Sequence, residues 1–218
     1  MLKLSRFTGS KNISDFIDII IAVYSELLSK FNSLGAEYIQ FDEPYLVFDL
    51  TGDDKKLFTS LYEKILSVKG NTKVILQTYF GDVRDCYNEI CTLDFDGIGL
   101  DFIEGRKSLE LVKAFGFPKD KILFAGLVNG KNIWRNSYAK TIEALTELKK
   151  YCSDIVLNTS CSLLHVPYTL KNETKLAESF KKHFSFAQEK LNELSELKTI
   201  LTEGNHFDTD IFKSNAEV

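Results

Sequence analysis

The stretch DIVLNTSCSLLHVP, Asp154 to Pro167, decides how the rest of the chain is read. Ile155, Val156 and Leu157 form a short apolar, largely β-branched run, the composition of a strand buried on both faces. The chain then turns abruptly polar at Asn158-Thr159-Ser160-Cys161-Ser162, and His165 and Pro167 follow. A buried strand that ends in hydroxyls, a thiol and an imidazole is how α/β enzymes present chemistry at the carboxyl edge of a sheet. Taken alone, the stretch reads equally well as a strand-to-loop transition with capping residues. Recurrence of the pattern upstream decides between the two.

Working back along the chain, the same strand-then-polar pattern returns. Lys121–Gly126 is an expected strand followed by Leu127-Val128-Asn129-Gly130, and Gly97–Phe102 one that ends near Asp101 and Glu104. Lys73–Gln77 ends in Thr78-Tyr79-Phe80-Gly81, and Glu37–Phe41 ends in Asp42-Glu43-Pro44. Leu2–Arg6 is the earliest strand candidate. Between them lie helix-period segments: one starting at Ser14 and stopped by Gly35, then Asp54–Val68, Val83–Leu93, Ser108–Phe115 and Ser137–Tyr151. A long helix is expected from Asn172 to Leu201.

Six βα units in alternation predict an α/β protein with a parallel sheet and right-handed crossovers. An open doubly wound sheet and a (βα)8 barrel both fit. No GxGxxG or Walker-type loop follows any strand, and polar residues follow every strand rather than one switch point, which suits a barrel mouth. Residues 1–204 are expected to form that domain, with 205–218 a polar, frayed tail.

Composition narrows the function class. The chain has 218 residues, 44% hydrophobic and 27% charged, ordinary globular values. Its net charge of -4 argues against a nucleic-acid partner, which needs a basic surface. No apolar run reaches membrane-span length, since Ile17–Tyr24 is broken by Asp18, and no apolar h-region follows MLKLSRFTGS. Cys86, Cys91, Cys152 and Cys161 form no CxxC pair, as expected of reduced thiols. The expectation is a cytoplasmic protein with neither nucleic acid nor membrane as partner.

The candidate chemistry sits at the strand ends. Asp42 and Glu43 place two carboxylates after a buried strand, for substrate orientation or base catalysis, or as caps before Pro44. Asp101 and Glu104 read as acid-base groups or metal ligands, or as plain helix caps beside Arg106 and Lys107. Gly126–Asn132, with Asn129 at its centre, is glycine-bearing and basic and could cradle an anion. Cys161, His165 and Asp101 have donor chemistry for zinc, although separation in sequence does not show convergence. Trp134, the sole tryptophan, reads as core or interface.

Together, YIQFDEPYL (Tyr38–Leu46), ILQTYFG (Ile75–Gly81), AGLVNGKNIWRN (Ala125–Asn136) and NTSCSLLHVP (Asn158–Pro167) resemble the N-terminal domain of cobalamin-independent methionine synthase, in the family's order. The resemblance covers Leu2 to about Leu201. It implies two facing (βα)8 barrels, and methyl transfer from a methyltetrahydrofolate polyglutamate to zinc-bound homocysteine. Where the family's catalytic barrel carries a His-x-Cys zinc pair, this chain reads Gln77-Thr78-Tyr79; the remaining ligand positions fall near Asp101 and Cys161.

Amide oxygen and neutral phenol are poor zinc donors, so the resemblance implies the folate-contacting, non-catalytic barrel with no zinc of its own. The implied barrel-mouth residues are Asp42, Glu43, Gln77, Tyr79, Asp101, Asn129, Ser160, Cys161 and His165. Leu2–Arg6 aligns with the family's third strand, so six units, strands three to eight of a partial TIM-type barrel, are expected, with the first two missing. Such a chain is expected to be inactive alone and to pair with a complementary methionine synthase fragment, or to persist as a silent ligand-binding remnant.

Overall fold

Five strands run parallel to one another and lie in the sheet in sequence order: β1 (Tyr38–Asp42), β2 (Lys73–Gln77), β3 (Gly97–Asp101), β4 (Ile122–Val128) and β5 (Asp154–Thr159). The computed structural model describes residues 2–6, 8–202 and 209–216. Helix α1 (Ile17–Ser33) precedes the sheet. Helices α2 (Gly52–Leu66), α3 (Tyr87–Thr92), α4 (Ser108–Phe115) and α5 (Tyr138–Leu148) fill the crossovers, and α6 (Glu178–Lys181), α7 (Ala187–Thr202) and α8 (Asp210–Ala216) follow.

The strand order never reverses, so the sheet has no topological switch point. One face carries the main core: Val74, Leu76, Ile98, Leu100, Leu123 and Ala125 pack against Phe58, Tyr62, Ile90, Val112 and Leu145 of the helices. Pairing register puts Asp42, Gln77, Gly99, Phe124 and Val156 together on the other face.

That second face is concave. Asn158 Nδ2 of β5 donates to Gln77 Oε1 of β2 at 3.3 Å, although β3 and β4 lie between the two strands. In a flat sheet three spacings would hold β2 and β5 about 14 Å apart. The sheet is therefore curled toward this face. Glycine makes the curl possible, because a Cβ on Gly99 would lie 2.0 Å from Gln77 Oε1 and one on Gly97 2.7 Å from the Phe124 ring. Two bare positions of β3 thus receive the side chains of its neighbours.

Local signals explain the element ends. Thr51 and Asp54 form a reciprocal capping box at the start of α2: Asp54 N donates to Thr51 Oγ1 at 3.2 Å, and Thr51 N to Asp54 Oδ2 at 3.0 Å. Gly35 and Gly116 close α1 and α4 with φ of 77° and 76°, a conformation costly for any residue with a Cβ.

Three expectations are corrected. Leu2–Leu4 is a 3-10 turn rather than a strand, so the sheet has five strands among the described residues and not six. Two leucines flanking one lysine suit either conformation, and the Lys3 ammonium is held by Asp54 at the start of α2. The long helix from Asn172 to Leu201 is broken. Around residues 183–185 the backbone instead pairs with the loop after β4, through Arg135 N to His183 O at 2.9 Å and Ser185 N to Ile133 O at 2.7 Å. Within the region expected to be a frayed tail, Asp210–Ala216 is helical, with Ile211 and Phe212 packed on the cluster of Val128, Tyr138 and Leu197; residues 205–208 lie outside the described residues.

Candidate functional site

Because every strand points the same way, the carboxyl ends share one edge, and the nine residues singled out from sequence all fall there. Asp42, Gln77 and Asp101 close β1, β2 and β3; Asn129 follows β4; Ser160 and Cys161 follow β5. Glu43 and Tyr79 lie just beyond their strands, and His165 ends a 3-10 turn, Leu163–His165.

On the β1–β2 side the polar groups pair closely. Gln40 Nε2 donates to Asp42 Oδ1 at 2.7 Å, and Asp42 is exposed. Burial first, and then the neighbouring Asp42 carboxylate, push the Tyr79 phenol above its usual pKa. Tyr62 OH donates to Glu43 Oε1 at 2.6 Å, and burial followed by the Glu43 charge holds this phenol firmly protonated. The Gln77 amide is used at both ends, its Nε2 on Thr78 O at 2.9 Å and its oxygen by Asn158. A cavity of about 420 Å³ opens beside β1 between α1 and α2, and Asp42, Glu43 and Tyr62 line it.

Toward the middle of the edge the carboxylate and the thiol serve the loops. Asp101 is buried, and its Oδ2 accepts from Phe80 N at 2.9 Å while its Oδ1 accepts from Ile103 N at 2.8 Å and Glu104 N at 2.9 Å. Burial raises its pKa and these hydrogen bonds oppose the rise. Phe80, with φ of 70°, is the one non-glycine residue with positive φ among the described residues, and Asp101 grips its N–H. Ser160 Oγ accepts from Gly130 N at 3.2 Å, and Gly130 sits so close that a Cβ there would lie 2.5 Å from Cys161 O. Cys161 is buried, its thiol on Ser162 O at 3.7 Å, and burial pushes its pKa up.

The rim is aromatic. Phe80 lies 5.3 Å from the His165 ring and 4.9 Å from the Tyr79 ring, both edge-on, and Lys131 Nζ stands 5.4 Å above Phe80 while pairing with Glu104 at 3.0 Å. Asn129 folds its Oδ1 back onto Lys131 N and Asn132 N at 2.8 and 3.0 Å.

The arrangement can orient a polar ring through Asp42, the Tyr79 hydroxyl and an aromatic rim. It does not assemble Asp101, Cys161 and His165 as ligands, and among the described residues no group of three His, Cys, Asp or Glu is placed to hold a metal. Nor do the donors suit zinc: Asp101 is committed to backbone N–H groups, Cys161 is a buried thiol, and Gln77 and Tyr79 are an amide and a protonated phenol. Sequence reading missed Tyr62, Phe80 and the partnership of Asn158 with Gln77. Only the last had any signal, as a polar residue ending a buried strand.

A family profile described as "Cobalamin-independent synthase, N-terminal domain" matches residues 1–153. The 5-methyltetrahydropteroyltriglutamate–homocysteine methyltransferase of Lactococcus lactis subsp. lactis (strain IL1403) is 60% identical over 211 residues, 97% of this chain and 27% of that protein. The protein of the same name from Campylobacter jejuni subsp. doylei is 48% identical over 218 residues, 100% of this chain and 29% of its own length. The chain thus spans less than a third of these relatives. A solved B12-independent methionine synthase from Shewanella sp. W3-18-1, in complex with selenomethionine, superposes with a TM-score of 0.55 at 17% identity, covering 84% of this chain and 53% of that one, a likeness of fold.

Proposed function

Since the chain belongs to the cobalamin-independent methionine synthase family, we propose that it forms the donor-facing wall of a (βα)8 barrel in a methyl transfer from 5-methyltetrahydropteroyltriglutamate to homocysteine. The observation that carries this reading is the curl of a singly wound parallel sheet, marked by the Gln77–Asn158 contact, with all nine polar residues on its carboxyl edge. Residues 1–204 act as one domain, in which β1 and β5 meet further βα units from the same or another polypeptide. Asp42, Glu43, Tyr79, Asn129 and His165 face the folate, while Gln77, Asp101, Ser160 and Cys161 hold the loops that present them.

The chain takes no part in zinc binding, because the donors at Gln77, Tyr79, Asp101 and Cys161 are of the wrong kind or already engaged. Activation of homocysteine is then left to a second barrel, and the five-stranded unit does not make methionine by itself. No helix among the described residues is long and apolar enough to cross a membrane, and we place the reaction in the cytoplasm.

Equilibrium dialysis with the triglutamate methyl donor tests the assignment of the edge. Binding that weakens about tenfold, ~1.4 kcal/mol, in Asp42→Asn or Tyr79→Phe is expected; affinity indifferent to both substitutions would overturn it. Methionine produced by the chain alone, above a no-enzyme blank, would overturn the division of labour. Donor binding with no methionine in any mixture with the remaining part of the Lactococcus relative would instead favour a silent binding module, a reading to which the loop-holding roles of Asp101 and Cys161 lend support.

A further inference from the structure

We infer that the chain carries a second ligand site, behind the loop that follows β4, for a small oxyanion borne on an aromatic or apolar group, such as an aryl phosphate or an aryl carboxylate. A cavity of about 310 Å³ lies there between that loop, the first turns of α5 and Lys190 of α7, with Phe102 and Leu127 as an apolar floor. The volume falls in the range of small-ligand pockets.

Its charge is one-sided. Arg135, Lys140 and Lys190 line it, and no carboxylate does. Lys190 is 0% exposed, yet its ammonium donates only to Trp134 O, at 3.0 Å, leaving two of three donors without a described protein acceptor. Burying a cation with so little compensation is costly, and an anion in the cavity offsets that cost. Glu193, buried one turn further along α7, opposes the lowering of the Lys190 pKa by burial, but among the described residues it makes no ion pair with the ammonium and accepts instead from Asn136 N at 2.9 Å. Neither Arg135 nor Lys140 is in a side-chain ion pair with another described residue.

Neutral donors reinforce the charge. Asn132 Oδ1 is taken by Trp134 N at 3.2 Å, so its NH2 group is left to offer the cavity. The 11-residue helix α5 begins here without a side-chain cap from Ser137; Asn215 Oδ1 accepts from Tyr138 N at 3.0 Å, and the rest of the first turn adds the positive end of the helix dipole. Trp134, 57% exposed and tilted against Phe184 with ring centroids 5.2 Å apart, supplies an aromatic wall. Oxyanion and ring are thus both provided for within one cavity.

Trp134 is the only tryptophan, so its fluorescence reports on the site directly. Phenyl phosphate, benzoate, inorganic phosphate and neutral phenol would be titrated into the full chain in low-chloride buffer, with calorimetry in parallel. Saturable binding of phenyl phosphate or benzoate is expected, the tighter of the two naming the headgroup. Inorganic phosphate should bind about tenfold more weakly and phenol not at all. Arg135→Gln with Lys140→Gln, both at partly or fully exposed positions, should weaken binding about tenfold with an unchanged melting temperature. Lys190→Met should abolish it, and should that variant not fold, the Arg135/Lys140 pair decides. No saturable signal by either method up to about 10 mM, or an affinity untouched in the double variant, would overturn the site.

Discussion

Asp101 shows how a residue of catalytic type can be wholly occupied by architecture. Its two oxygens tie the backbone of Phe80 in one loop to that of Ile103 and Glu104 in the next. Asp101→Ala should therefore cost about 2–3 kcal/mol, the range for losing buried hydrogen bonds to a charged group, measured by urea unfolding; a loss under ~0.5 kcal/mol, typical of surface positions, would refute the clamp. Gly99 makes the complementary case, in which absence of a side chain matters. Gly99→Ala should destabilise by about 1–3 kcal/mol through overpacking, and Gln77→Ala should relieve part of that cost, so a double-mutant cycle should show coupling. Additive single effects would mean that the Gln77 amide does not lie across Gly99. The donor chemistry at Gln77 and Tyr79 also predicts that protein purified without chelator carries no stoichiometric zinc; one equivalent, lost in Cys161→Ser, would contradict it.

Among the elements, α2 is the one whose start is most fully specified. Thr51 and Asp54 cap it reciprocally, and the Asp54 carboxylate is also held by Lys3. The Lys3 hydrogen bond first, and then those from Thr51, lower the Asp54 pKa from 3.8 to about 2. A carboxylate depressed in the folded state binds its proton more readily when unfolded. Its stabilisation is thus present above the unfolded value and lost as pH falls from about 4 toward 2. Urea titrations across that window should show Asp54→Asn less steeply dependent on pH than the parent chain, whereas parallel curves would place the acid sensitivity elsewhere. Thr51→Ala should cost about 1 kcal/mol at neutral pH as a lost cap. The interruption between α6 and α7 has a different origin, since its backbone hydrogen bonds are made to the loop after β4 rather than along a helix.

At the scale of the molecule, β1 and β5 each pair on one side only among the described residues, and the first helix is poorly covered. Along α1 only Leu28 is buried, while Ile19, Val23, Leu27 and Phe31 recur every fourth residue on an exposed stripe that Leu34 extends. Contiguous apolar faces of this kind mark contact surfaces, and unpaired strand edges invite pairing. The isolated chain should associate in a concentration-dependent way by size exclusion with light scattering, and Val23→Glu with Phe31→Glu should reduce that association. A monodisperse monomer at all concentrations, unchanged by the double variant, would show the stripe to be inert.

What the sequence determined alone was local. Alternating apolar runs and helical periods marked each of the five strands to within two residues, and glycines at 35 and 116 with the cap residues marked several ends, because burial on both faces and φ preference act within a few residues. Polar residues after each strand located the carboxyl edge for the same reason. Tertiary structure decided what those residues do. That Asp101 is a clamp, that Gln77 reaches Asn158, and that Phe80 adopts positive φ all depend on contacts between strands and loops separated by 21 or 81 positions. Leu2–Leu4 and the break before α7 went the same way, since a short segment with weak preferences takes the conformation that satisfies its neighbours in space, here Asp54 and the loop after β4.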